Sequence, residues 1–148
     1  SPVPSEIDLA SAFDACLRAQ LDLCQRLEDL ADQLPSRVDT RAATILANRL
    51  QSTLRRCHQL EETVIFPVLL AADRDLHGIL DRLRNEHQED EDHACDVRDT
   101  IRAFVTAGHW NGAENLGYML RGLFVSLRRH LAFDRDYVLP RFQQARQP

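Results

Sequence analysis

The stretch His58-Gln59-Leu60-Glu61-Glu62-Thr63-Val64-Ile65-Phe66-Pro67 sets one histidine and two carboxylates into an apolar helical pattern and closes on proline. His58 and Glu62 stand four residues apart. On an α-helix they share a face, about 6 Å apart along the axis. The spacing recurs in His87 and Glu91, and in His130 and Asp134 of Arg129-His130-Leu131-Ala132-Phe133-Asp134-Arg135-Asp136-Tyr137-Val138-Leu139-Pro140. A single pair of this kind on a surface helix is usually a solvated face. Here all three interrupt apolar stripes near mid-helix. Burying one ionised carboxylate without a partner costs several kcal/mol. Three such pairs therefore point to cations held between helices. Imidazole with carboxylate suits iron, manganese or zinc, and the absence of a thiolate cluster argues against a structural zinc site.

Outward from these pairs, the apolar periodicity predicts four helices. The first covers Ile7 to Leu34, with Phe13, Leu17, Leu21, Cys24, Leu27 and Ala31 in register. Pro35 ends it, and Ser36 or Asp39 caps the next. The second runs from Asp39 to Leu70 through Ala43, Leu46, Leu50 and Leu54, with Pro67 loosening its last turns. After a turn at residues 73–75, the third runs from Leu76 to Thr106, its face read as Leu80, Leu83, His87, Glu91, Ala94 or Cys95, Arg98 and Ile101. Gly108-His109-Trp110-Asn111-Gly112 is the clearest loop, with Trp110 expected over the bundle end. The fourth helix runs from Ala113 to Gln144. Four helices of roughly 28 to 32 residues with short connections imply an all-α, up-down-up-down antiparallel four-helix bundle. Residues 1–148 read as a single domain.

Composition narrows the function classes. Apolar residues make up 44% and charged residues 28%, an ordinary globular balance that argues against disorder. With five glycines, a glycine-rich phosphate loop is not expected. The net charge of −5 gives no basic footprint for nucleic acid, and no apolar run approaches the roughly 20 residues of a membrane span. Every Lys/Arg-type residue is arginine. No secretory pattern is visible, and Ser1-Pro2-Val3-Pro4 reads as a loose leader. Cys16, Cys24, Cys57 and Cys95 form no C-x-x-C pair and are expected to act as small core hydrophobes, which fits a reducing cytoplasm. His77, His93 and His109 are expected to face solvent or local partners. Tyr137, one turn beyond Asp134, is read as an interfacial residue, with Tyr118 further from the centre.

The motifs ending in Pro67 and Pro140, together with Asn85-Glu86-His87, resemble the hemerythrin-like HHE cation-binding family over nearly the whole chain. The resemblance implies a bundle holding two non-haem irons, with roles in oxygen, nitric oxide, peroxide or iron handling. Three departures stand out. Gln20 occupies the position where the family's first helix gives a histidine. Asp134 replaces the usual glutamate. Counting back from the two prolines aligns His130 with Cys57 and Asp134 with Glu61, so the second helix offers either His58 with Glu61 or Glu62, or Cys57 facing the site; His58 is favoured because imidazole suits iron.

The leading expectation is a diiron protein with ligands among His58, Glu61, Glu62, His87, Glu91, His130 and Asp134. Glu62 or Glu61 and Asp134 would bridge, and Glu91 would make up for the first helix. The small ligand would be O₂, NO or peroxide, in sensing or in oxidative or iron stress. Peroxide decomposition or oxidase activity is compatible with this, a classical enzyme less so. The alternative is a metal-poor bundle acting as an interaction or regulatory module. Neither nucleic acid nor membrane is an expected partner. Leu123, Phe124 and Val125 on the fourth helix suggest a homodimer or a protein partner.

Overall fold

The structure of the protein is a computed structural model that describes residues 6–107 and 112–147. Among these residues every regular element is helical. Helix α1 is Glu6–Gln33 and α2 is Thr40–Leu60. A five-residue π-helical segment, Glu61–Ile65, joins α2 to α3, Phe66–Ala72. A 3₁₀ turn, Arg74–Leu76, leads into α4, His77–Ala107. Helix α5 is Ala113–Phe133, and a second π segment, Asp134–Val138, joins it to α6, Leu139–Ala145. The chain is thus an all-α four-helix bundle, with α2–α3 and α5–α6 each acting as one long rod.

The connections follow from local chemistry. Asp39 is the N-cap of α2, and its side chain accepts a hydrogen bond from the Ala42 amide at 3.0 Å. Gln33 reaches across the same turn to accept from the Asp39 amide. Asp73 accepts from the Asp75 amide and starts the 3₁₀ turn. Gly112 precedes α5 at φ +98°, a conformation that favours glycine. His109 and Trp110 lie outside the described residues.

Short turns place consecutive helices side by side. α1 packs on α2, α2 on α4, α4 on α5, and α5 on α1, which closes the ring. Phe13, Leu17, Cys24, Leu27 and Ala31 of α1 are buried as their spacing predicts, but Leu21 is exposed and Leu23 and Leu30 complete the face. On α4 the buried face is Leu80, Leu83, His87, Asp90, Ala94, Val97, Ile101 and Phe104. This differs from the sequence reading at two positions. Glu91 and Arg98 lie at the edge of the face, while Asp90 and Val97 lie within it. The steps 83, 90, 97 and 104 are heptads, so a seam facing two neighbours keeps the seven-residue period.

The two π segments occupy matching places. Glu61 and Asp134 each begin one, six residues before Pro67 and Pro140. The Phe66 amide donates to the Glu61 carbonyl and the Leu139 amide to the Asp134 carbonyl, both five residues back. A proline ring collides with the carbonyl four residues earlier in an α-helix, and the wider π turn relieves that contact. It also keeps Glu61 with Ile65, and Asp134 with Val138, on the buried side. Core packing closes both ends of the polar layer so formed. Phe13, Phe66, Leu69 and Phe142 lie toward α3 and α6, and Leu27, Leu50, Val97 and Leu120 toward the other end.

Candidate metal centre

One layer across the bundle holds the buried polar side chains: Gln20, His58, Glu61, His87, Asp90 and Asp134. His130 completes it, half-buried on α5. Every rod therefore contributes. Gln20 comes from α1, His58 and Glu61 from the α2 rod, His87 and Asp90 from α4, His130 and Asp134 from the α5 rod.

Each imidazole is held through Nδ1 by a carboxylate of a neighbouring helix. His58 Nδ1 lies 2.9 Å from Glu91 Oε2, His87 Nδ1 3.0 Å from Glu62 Oε2, and His130 Nδ1 2.6 Å from Asp90 Oδ2. Two of these carboxylates face an arginine farther out, Glu91 at 3.7 Å from Arg55 and Glu62 at 3.8 Å from Arg84. A carboxylate on one ring nitrogen fixes the tautomer and orients the ring, the usual support for a metal-binding histidine. His87 Nε2 meets Glu61 Oε2 at 3.2 Å, and His130 Nε2 lies 3.5 Å from Glu86 Oε2. The His58 and His87 rings stack at 3.9 Å between centroids, 7° from parallel.

Burial governs the charges. It pushes the Glu61 carboxyl up to about 7, an effect that the facing Asp134 carboxyl partly offsets. Asp134 is raised well above the usual carboxylate range, first by burial and then by Glu61. The two carboxyls thus hold a proton between them. Burial, then the charges of His87 and His130, lowers His58 to about 3, so its ring is neutral. The hydrogen bond to Asp90 raises His130. Glu61 Oε1 is buried without a hydrogen-bond partner. An orphaned carboxylate oxygen is costly inside a protein, and a cation would satisfy it.

A cavity of about 10 Å³ opens in the layer, lined by Gln20, His58, His87, Asp90, His130 and Asp134 among others. That is room for about one water-sized sphere. Among the described residues, no three His, Cys, Asp or Glu side chains converge on a point as the ligands of one ion would. The donor chemistry nevertheless fits a cation. Three oriented imidazoles and two buried carboxyls, one with an unsatisfied oxygen, share a layer.

The expected residues divide by depth. His58, His87, His130, Glu61 and Asp134 meet in the layer, with Glu61 and Asp134 innermost. Glu62 and Glu91 stand outside, against imidazole Nδ1 atoms. Asp90 was missed. It is three residues from His87, in the heptad of Leu83 and Val97, and that period was the signal for it. Cys57, the residue that counting from proline aligns with His130, is buried and faces α1. Its sulfur lies 3.7 Å from the Cys16 carbonyl oxygen. The neighbouring Cys57 thiol lowers Cys16 to about 7, and Cys16 together with burial raises Cys57. Cys24 is a buried thiol as expected, whereas Cys16 and Cys95 are half-buried. His77 is exposed, and His93 is half-buried near Gly122. Tyr137 stacks on Phe133 at 4.7 Å and lies beneath Arg141, and Tyr118 is exposed. Leu123 and Phe124 belong to the bundle's own core, leaving Val125 outside.

The chain matches the family model described as hemerythrin HHE cation binding domain over residues 8–142. No curated protein and no solved structure matches it.

Proposed function

The chain belongs to the hemerythrin HHE cation-binding family, and from that premise we propose that its polar layer holds two non-haem irons. His58, His87 and His130 would supply the imidazole ligands, and Glu61 and Asp134 the carboxylates. Glu91, Glu62 and Asp90 then orient the three imidazoles, a role that replaces direct ligation by Glu62 and Glu91. Bound iron supplies a redox-active Lewis acid with open positions for a small ligand such as O₂, NO or peroxide. Manganese and zinc accept the same donors.

The chain's own groups carry the rest. Glu61 and Asp134 surrender the proton they share when a cation enters, so uptake releases protons. Neutral His58 is ready to bind without first losing one. Core residues on both sides keep bulk water out, and the small cavity admits a diatomic-sized guest rather than an organic substrate. That favours binding, sensing or decomposition of a small oxidant over oxygenation of a larger molecule. Gln20 in place of a histidine leaves α1 with a weak donor, which loosens one ion and favours sensing or turnover over reversible oxygen carriage.

The observation that carries this reading is the unsatisfied Glu61 oxygen amid three Nδ1-anchored imidazoles. The test is elemental analysis of protein from iron-supplemented cells, with absorption spectra before and after reduction. About two irons per chain and a reducible charge-transfer band are expected. A chain that retains no metal through desalting would overturn the proposal in favour of an interaction module.

A further inference from the structure

Two cysteines on different helices meet beside the polar layer. Cys16 lies on α1 and Cys57 on α2, 41 positions apart in sequence, and the Cys57 sulfur lies 3.7 Å from the Cys16 carbonyl oxygen. All four cysteines are free. Cys57 stands four residues before Glu61 as His130 stands four before Asp134. Where His130 pairs with Asp90 of α4, Cys57 pairs with Cys16 of α1. The chain has thus placed a dithiol at the position on the α2 rod that corresponds to an imidazole and its carboxylate on the other.

We propose that Cys16 and Cys57 are a redox site, oxidised by hydroperoxides to a reversible disulfide that ties α1 to α2. Cys16 is the half-buried thiol that an oxidant reaches, and Cys57 is the buried one behind it. The Cys16 sulfur attacks the terminal peroxide oxygen. The O–O bond breaks, the other oxygen leaves as water or alcohol with the proton lost from the Cys16 thiol, and Cys16 becomes a sulfenic acid. The Cys57 sulfur then attacks the Cys16 sulfur. The S–O bond breaks, and the oxygen leaves as water with the Cys57 proton. Each sulfur loses one electron, and the peroxide gains two. The Cys57 sulfur already stands against the Cys16 backbone, so the crosslink requires the two side chains to rotate toward each other to the S–S length of about 2.05 Å. Gln20 donates to the Cys16 carbonyl at 3.2 Å, so the crosslink forms one turn from the layer.

The test is non-reducing peptide mapping of the full chain after stoichiometric hydrogen peroxide. The expected product is one crosslinked peptide joining the segments with Cys16 and Cys57, lost on dithiothreitol treatment, with Cys24 and Cys95 still free. Cys16→Ser and Cys57→Ala should each abolish it, and the oxidised wild type should melt higher than the reduced form. Sulfinic acid at Cys16 with Cys57 still reduced would overturn the proposal, as would crosslinks to Cys24 or Cys95 or no oxidation. Mapping of the wild type decides the matter even if a variant misfolds. The readout is a covalent bond, so it stands whether or not the bundle retains a metal.

Discussion

At the scale of single residues, the layer is decided by which carboxylate of an acidic run turns inward. Glu89, Asp90, Glu91 and Asp92 are consecutive, and only Asp90 is buried, at 4% exposure. Four acidic neighbours look alike in sequence; the heptad phase of α4 separates them. Asp90 anchors His130 at 2.6 Å, so Asp90→Ala should weaken cation retention by about 10- to 100-fold. Glu89→Ala, on the exposed face, should leave it unchanged. Equilibrium competition with a chelator measures both, and equal affinities for the two variants would remove Asp90 from the site. Glu61 makes a second prediction, for the metal-free protein. Its carboxyl rises from 4.5 to about 7 on folding, so the stability it confers is complete below pH 4.5 and lost as pH climbs through 7. The size is about 3 kcal/mol. Lowered His58 acts in the opposite sense, its contribution being lost as pH falls below its ordinary range. Comparing wild type with Glu61→Gln cancels that effect. Urea unfolding at pH 4.5 and pH 8 should show the variant gaining by about this amount relative to wild type at the higher pH. A gap independent of pH would mean that Glu61 ionises freely.

At the scale of elements, the helices, their order and their pairing were legible because apolar spacing and capping residues dictate them locally. The π segments were not. No residue type marks a π turn; here it arises where a proline follows a buried carboxylate by six residues. Counting back from Pro67 and Pro140 nonetheless aligned Glu61 with Asp134, and the structure joins those two residues. The same count put Cys57 opposite His130. His58, one residue on, turns toward α4 while Cys57 turns toward α1. The extra residue in each π turn sets the phase between the layer and the proline-capped end. Removing exposed Thr63 would restore an α-helical ladder and rotate His58 and Glu61 by about 100° relative to Phe66 and Leu69. A chain lacking Thr63 should therefore lose metal and melt well below wild type, as circular dichroism and metal analysis would read. A deletion that keeps both properties would show that the wide turn does not set the site.

At the scale of the whole molecule, the bundle and the cation are linked through stability. Outside the layer the core is apolar, and the buried polar and charged residues among the described ones are those of the layer itself. Metal-free, the layer retains a protonated carboxyl pair, an orphaned oxygen and stacked imidazoles, each less favourable than its hydrated form in the unfolded chain. A cation that binds the folded chain stabilises it by mass action, about 2.7 kcal/mol at a hundredfold excess over Kd. For a chain of this size that is about 5–10 °C in melting temperature. Wild type titrated anaerobically with iron(II) should rise by that amount. His58→Ala/His130→Ala keeps Glu61, Asp134 and the apolar core but lacks two of the three imidazoles, so iron should leave its melting temperature unchanged. The metal-free double variant should still unfold cooperatively, because both substitutions shorten polar groups in a layer bounded by intact hydrocarbon. A response to iron as large in the double variant as in wild type would place the cation elsewhere. No response in either would leave the layer as a set of buried ion pairs, with the bundle's role sought among its partners.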